Sequence, residues 1–185
     1  MIECLFLGLG VFAWTFIEYA MHNWVGHKLR GKVHFSREHL IHHRQRNYFT
    51  PLQKKLPFTG IVGFGIYSGS VAVLGMGAGS YFGLGVIAGY SVYEYIHWSN
   101  HMRAPRTAYG RWARRHHFSH HFTDARYNHG VTSPLWDLVF GTYRAPTKIQ
   151  VPAKFSMPWL VDSQTGRVCH QFGDDFELKG IRRSC

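Results

Sequence analysis

The segment from Arg115 to Phe122 reads RHHFSHHF, four histidines among six consecutive residues. An imidazole either titrates near neutrality or offers a nitrogen lone pair to a metal ion. The chain carries 21 Lys and Arg against 10 Asp and Glu, a net charge of +11. Gathering still more cations in such a chain is unfavourable, so the cluster points to neutral rings held together by metal. The 14 histidines are grouped in the same sense. HNWVGH runs from His22 to His27, HLIHH from His39 to His43, HWSNH from His97 to His101 and HFSHH from His117 to His121.

On an α-helix, residues i, i+3 and i+4 share a face. HLIHH and HFSHH therefore each present three imidazoles in one direction, and His97 with His101 presents two. His22 and His27 lie about 140° apart on an ideal helix, so that pair requires the chain to bend, which Gly26 would permit. The boxes supply ten rings: His22, His27, His39, His42, His43, His97, His101, His117, His120 and His121. One zinc takes about four ligands, so ten imidazoles predict two metals with roughly five each. A lone HxxxH is more often an accident than a site; four boxes, two with identical spacing, are not. His34, His116, His129 and His170 are left as supporting or surface groups.

Carboxylates accompany the boxes. Glu18 precedes His22 by four, Glu38 precedes His42 by four, and Glu94 precedes His97 by three. A metal-bound imidazole usually passes its other N–H to a carboxylate or carbonyl. Glu18 and Glu94 are the expected acceptors, because an ionisable group within an apolar helix needs a local reason. Glu94-x-x-His97 is also the ligand motif of soluble di-iron bundles, which keeps direct ligation by Glu94 as an alternative.

The elements that must position these rings are apolar. Every Lys and Arg lies between Lys28 and Lys55 or beyond Met102. Ile2 to Ala20 is a nearly continuous apolar run whose length, at about 1.5 Å per residue, approaches the thickness of bilayer hydrocarbon. It lacks the basic start and cleavage site of a signal peptide. Pro57 to Trp98 contains one charged residue, Glu94, and predicts two further spans joined by the GMGAGS turn at Gly75 to Ser80. Half of the 20 glycines fall between Gly60 and Gly89, and the pairs Gly65/Gly69 and Gly85/Gly89 have the spacing that lets membrane helices approach closely. The expected fold is an all-α integral membrane protein with about three transmembrane helices and a cytosolic, helical, histidine-rich cap holding two metals. Residues 1–144 form the membrane-embedded unit and 145–185 a C-terminal tail, in which VDSQTGRVC suggests a short hairpin. The positive-inside tendency places the N-terminus outside and the histidines in the cytoplasm. Basic residues flank the spans and no nucleic-acid motif is present, which excludes nucleic acid as a partner. Cys4, Cys169 and Cys185 have no CxxC spacing and are expected to be reduced.

These boxes, in this order and followed by NHGVTSPLWDLVFGT from Asn128 to Thr142, resemble the fatty acid hydroxylase and sterol desaturase superfamily, most closely its fatty acid 2-hydroxylases. The resemblance covers about residues 11–143. It implies a membrane enzyme with two iron ions that uses dioxygen, with zinc able to occupy such sites in isolated protein, and it carries the metal ligands onto the ten histidines named above. Asn128, Gly130, Trp136, Asp137, Phe140 and Gly141 match the closing motif beside the boxes; Asp137 either orients a histidine or caps the loop. Relatives commonly have a further span before the first box, and some a fused cytochrome b5 domain. This chain has neither, so the expected electron donor is a separate protein of cytochrome b5 or ferredoxin type, and an oligomer is a possible form.

The expected activity is hydroxylation of a lipid C–H bond, above all fatty acyl 2-hydroxylation, in a bacterial inner membrane or the endoplasmic reticulum. Carotenoid or sterol hydroxylation or desaturation is the alternative within the superfamily. A metal transporter would spread ligands along a path through several spans, and a haem protein would leave HxxHH unexplained. Four aromatic residues near the box-bearing ends, Trp14, Phe16, Tyr93 and Trp98, either line an access groove or form an interfacial belt. Arg111, Arg114 and Arg115 either dock the donor or anionic headgroups, or follow the positive-inside bias.

Overall fold

The computed structural model describes residues 1–45 and 47–180. Helix α1, Ile2–Ala20, continues without a break into a π-helical segment, Met21–Lys28. Then follow α2 (His34–Arg44), α3 (Leu52–Leu74), α4 (Met76–Met102), α5 (Ala108–Phe122) and the short α6 (Leu135–Val139). Strands β1 (Ile149–Pro152) and β2 (Phe176–Lys179) pair in parallel, with Ile149 opposite Phe176.

Two helical stretches, Ile2–Lys28 and Leu52–Leu74, are long and apolar enough to cross a bilayer. No residue of α3 is buried, and Ile61 and Phe64 are about three-quarters exposed. Beyond Lys55 the helix carries no charge, and a helix so apolar with so little of it covered by protein has the character of a lipid-facing span. Helix α4 has 27 residues, about 40 Å at 1.5 Å per residue, and is diluted by glycine.

Those glycines sort into two kinds. A Cβ on Gly10 would collide with the Phe82 carbonyl and one on Gly85 with the Leu7 carbonyl, so α1 and α4 touch backbone to backbone. Gly89 makes room for Trp14, and Gly79 and Gly83 for α3. The expectation for Gly65 and Gly69 is corrected: a Cβ on either meets nothing within 4 Å, because their face of α3 is turned away from its neighbours. The expected six-residue turn is also shorter. Gly75 alone, at φ 81°, reverses the chain, and residues from Met76 onward are helical; only glycine adopts that φ without strain.

Helix α5 starts at Thr107, whose hydroxyl accepts the Gly110 N–H at 3.0 Å, a side-chain N-cap. Its Phe118 is fully buried in a cluster with Ile149, Val151, Met157, Leu160, Phe172 and Phe176. The all-α expectation is therefore corrected in the tail. Ile149 and Val151 alternate with Gln150 and Pro152, a period of two that buries one face of β1 against α5. The expected hairpin is present as an antiparallel bridge between Val161 and Val168. Cys4 and Cys169 are free thiols; Cys185 lies outside the described residues.

Gly85→Val forces apart two backbones and is expected to cost about 1–3 kcal/mol, whereas Gly65→Val meets no neighbour. Thermal unfolding in detergent should show a lowered midpoint for the first variant and none for the second; equal effects would contradict the helix contact described here.

Candidate metal centre

The ten box histidines converge as two groups. His22, His27, His39, His43 and His120 form one; His42, His97, His101, His117 and His121 form the other; in each, the candidate ligand atoms lie within 4.8 Å of one another. The helices explain the sorting. His39 and His43, four apart on α2, share one row, while His42 is rotated toward α4. On α5, His117 and His121 share a row and His120 faces the other group. The groups abut through stacked His43 and His121 rings, centroids 4.1 Å apart.

The His22–His27 pair is aligned by a different device from the one its spacing suggests. A π-helix bonds i to i+5, so residues five apart are brought one above the other, and these rings stack with centroids 5.3 Å apart. The chain does not bend at Gly26. That glycine serves another purpose: a Cβ there would lie 3.0 Å from the His39 ring.

Within the first group, Nε2 of His120 lies 2.9 Å from Nε2 of both His22 and His27, and Nε2 of His39 lies 2.9 Å from that of His27. In the second, the His97–His42 and His101–His117 Nε2 separations are 3.0 and 2.8 Å. These are not ordinary hydrogen bonds. Nδ1 of His22 donates to the His129 carbonyl at 2.5 Å, Nδ1 of His120 to the Tyr127 carbonyl at 2.7 Å and Nδ1 of His42 to the Tyr48 carbonyl at 2.8 Å. In a neutral ring whose Nδ1 carries the proton, Nε2 carries the lone pair. His22 and His120 thus direct two lone pairs at each other, a repulsive contact unless a cation lies between them. A metal with nitrogen ligands at about 2.0–2.1 Å sets neighbouring ligands roughly 3 Å apart, which is the spacing present. The residues fit metal.

Burial keeps the rings neutral. It pushes His42 down to about 4 and, with neighbouring rings adding to it, holds His39, His43, His117, His120 and His121 well below the usual 6.5. Protons then compete poorly with a metal at neutral pH.

The orienting partners differ from those expected. Glu18 touches no imidazole; its carboxylate accepts the Val131 N–H, the Thr132 N–H at 2.9 Å and the Thr132 hydroxyl at 2.6 Å. It holds the loop whose His129 carbonyl receives the His22 proton, one link further out. Glu94 binds Lys55 at 2.6 Å and belongs to neither group, because its side chain leaves the helix on the Lys55 side. Asn128, at φ 61°, brackets Arg144 by accepting its N–H and donating to its carbonyl, both at 2.8 Å. Asp137, fully buried, accepts from Gly130 N–H at 2.8 Å, His129 N–H at 2.9 Å and the Thr142 hydroxyl at 2.7 Å, and lies 3.2 Å from His116 Nε2. It both caps the loop and meets a histidine, but that histidine is not one of the ten. Sequence reasoning missed the three carbonyls of Tyr48, Tyr127 and His129, since a backbone acceptor has no residue-type signature.

A cavity of 590 Å³ between α1, α3 and α4 ends on His22 and His39 of the first group and His42 and His97 of the second. Its walls are mostly apolar, with Val62, Phe64, Ile66 and Val86 among them; Tyr48, Lys54, Lys55 and Glu94 add polar groups.

The sequence model described as fatty acid hydroxylase matches residues 7–142. The chain belongs to the fatty acid hydroxylase family. It is 31% identical over 151 residues to the dihydroceramide fatty acyl 2-hydroxylase FAH1 of Arabidopsis thaliana, covering 77% of this chain and 63% of that protein. It is 30% identical over 180 residues to the ceramide very long chain fatty acid hydroxylase scs7 of Schizosaccharomyces pombe, covering 80% and 46%. A solved structure, full-length scs7p with only the hydroxylase domain visible, superposes with a TM-score of 0.63 at 28% identity, covering 78% of this chain and 57% of that one. The chain thus spans less than two thirds of the length of these relatives.

The remaining residues of this hydroxylase-family chain can now be placed. His116 is buried between Trp112 and Tyr143; His129 is buried with its ring 5.1 Å from that of His120; His34 and His170 are exposed. Trp14 and Tyr93 line the cavity, whereas Phe16 packs on Trp136 and Trp98 lies under Arg103. None of the three arginines is a free docking group. Arg114 is buried, donating to the carbonyls of Ser99, Arg103 and Gly110, and Arg111 and Arg115 pair with Asp175.

Two outcomes are expected. Asp137→Ala strands several buried donors and should lower the unfolding free energy by at least about 3 kcal/mol, against about 1 for Thr142→Val, in denaturant titration. Second, histidines that are neutral when folded but titrate near 6.5 when unfolded contribute stability above that pH, and lose it as pH falls toward 4. Melting midpoints of metal-free protein should therefore drop steeply from pH 7 to 4; a flat profile would contradict the buried, neutral rings.

Proposed function

We propose that this chain is a membrane di-iron, dioxygen-dependent lipid hydroxylase that inserts oxygen at C2 of a fatty acyl chain. The carrying observation is the pair of five-imidazole groups, two rings of each of which, His22 and His39, His42 and His97, line a mostly apolar cavity. His22, His27, His39, His43 and His120 would hold one iron, and His42, His97, His101, His117 and His121 the other. When bound, iron and dioxygen supply the oxidant that an unactivated C–H bond requires and that no side chain provides.

The chain's own residues do the rest. The carbonyls of Tyr48, Tyr127 and His129 keep the proton of His42, His120 and His22 on Nδ1, leaving Nε2 for metal. Glu18, Asp137 and Asn128 fix the loop that carries two of those carbonyls. The cavity, within the roughly 300–1,000 Å³ of ligand pockets, accepts the acyl chain and excludes water from the histidine end. Attack beside the carboxyl carbon requires polar groups near that end, where Lys54, Lys55, Tyr48 and Glu94 are found. In this reading residues 1–144 are the hydroxylase unit and 145–185 brace α5. Helices α1, α3 and α4 make three crossings, with the N-terminus outside and the histidines cytoplasmic, in a bacterial inner membrane or the endoplasmic reticulum. A separate one-electron carrier protein of cytochrome b5 or ferredoxin type supplies reducing equivalents.

Protein reconstituted with ferrous iron, a reductant and isotopically labelled dioxygen should convert vesicle acyl lipids to 2-hydroxyacyl lipids that carry the label. His120→Ala should abolish the product. Label arriving only from water, or product undiminished in the variant, would overturn the proposal.

A further inference from the structure

Between the loop that orients His22 and the tail lies an apolar tip unexplained by the metal centre. Helix α6 and the residues after it expose Leu138 at 58%, Val139 at 60% and Phe140 at 45%, with Leu135 and Tyr143 also exposed. The one acidic residue of this stretch, Asp137, is fully buried and turned into the loop.

The level of this tip is set by α1. Trp136 donates its indole N–H to Thr15 at 2.9 Å, and its ring lies 4.9 Å from Phe16 and 5.9 Å from Phe12. Phe140 stacks on Tyr19 at 5.2 Å and meets Trp24 at 5.8 Å. At 1.5 Å per residue, Phe16 lies about 6 Å and Phe12 about 12 Å along α1 from its end at Ala20. If Ile2–Ala20 spans the hydrocarbon, α6 is therefore packed beside the histidine-bearing, cytoplasmic end of that span and not above it. The exposed faces are continuous, since Leu9 and Phe12 of α1 are 44% and 51% exposed. Four cations flank these elements in the chain and make up a basic collar: Lys28, the last residue of the π-helical segment, and Arg30 are exposed, Arg144 directly follows the tip, and Arg126 and Arg144 share Asp124.

We infer that Leu135–Tyr143 is a second membrane contact, a wedge inserted into the cytoplasmic leaflet beside α1, with the collar facing anionic headgroups. An exposed apolar tip flanked in the chain by Lys and Arg is the pattern of an interfacial element. The wedge would tie the loop carrying the Tyr127 and His129 carbonyls to the depth of the bilayer. This inference rests on the membrane-spanning reading of α1 but on no part of the catalytic reading.

Nitroxide labels at Leu138→Cys and Val139→Cys, in a Cys4→Ser, Cys169→Ser, Cys185→Ser background, would be measured in phosphatidylcholine–phosphatidylglycerol vesicles. Phe64→Cys on α3 serves as the lipid reference and Gln164→Cys on the 162–166 turn as the aqueous one. Collision with dioxygen relative to a water-soluble nickel chelate should be several-fold higher at 138 and 139 than at 164, matching 64. If 138 and 139 match 164 while 64 stays shielded, the wedge is refuted. Dipolar broadening between labels on two copies would likewise refute it in favour of a self-association face. If 64 is itself open to the chelate, the membrane-spanning reading fails, and the wedge with it.

Discussion

Imidazole nitrogens bearing lone pairs repel one another when held 2.8–3.2 Å apart, as pairs of rings in both histidine groups are, and in each group of five the candidate ligand atoms lie within 4.8 Å of one another. The arrangement is stable only if positive charge sits among them. Protons could supply it, but burial drives imidazoles of both groups, His39 and His117 among them, toward the neutral form. Metal ions, which both groups could hold, are the charge we propose for it. Much of the structure can be understood as what prevents these rings from turning aside: the π-helical turn that stacks His22 on His27, the carbonyls that fix three Nδ1 protons, and Phe118, which anchors α5 between His117 and His120 in the apolar cluster of the tail.

The same constraint links the membrane to the chemistry. The rings of the first group come from α1's continuation, α2 and α5, and those of the second from α2, α4 and α5. Backbone contact at Gly10 and Gly85 sets α1 beside α4, so both groups depend on helices whose other ends are apolar. The cavity between those helices runs from the apolar face of α3 to rings of both groups. The wall between that face and the rings is mostly apolar.

Much of this was legible in the residues. Imidazoles at i, i+3 and i+4 must share a helix face, and ten of them exceed what one ion takes, so HLIHH and HFSHH announced a paired centre. The apolar run of α1 and the charge-poor stretch from Pro57 to Trp98 predict three spans, and two helical stretches, Ile2–Lys28 and Leu52–Leu74, are long and apolar enough to cross a bilayer. Where sequence reasoning went astray, long-range or backbone features decide the outcome. A π-helix has no residue signature, so the spacing of His22 and His27 suggested a bend. Glu18 and Glu94 stand at the right helical offsets, but their partners, the 131–132 loop and Lys55, are brought in from distant segments. Gly65 and Gly69 have the same spacing as Gly85 and Gly89; only the tertiary arrangement distinguishes a glycine facing lipid from one facing a helix.

We propose that two ions, each surrounded by imidazole nitrogens, complete this fold. Elemental analysis of the purified wild-type chain, combined with X-ray absorption at the metal edge, tests it most directly. Two metal ions per chain with an all-nitrogen shell of about five ligands each is the expected result. A content well below one ion per chain after loading, or a shell dominated by oxygen or sulfur, would contradict it.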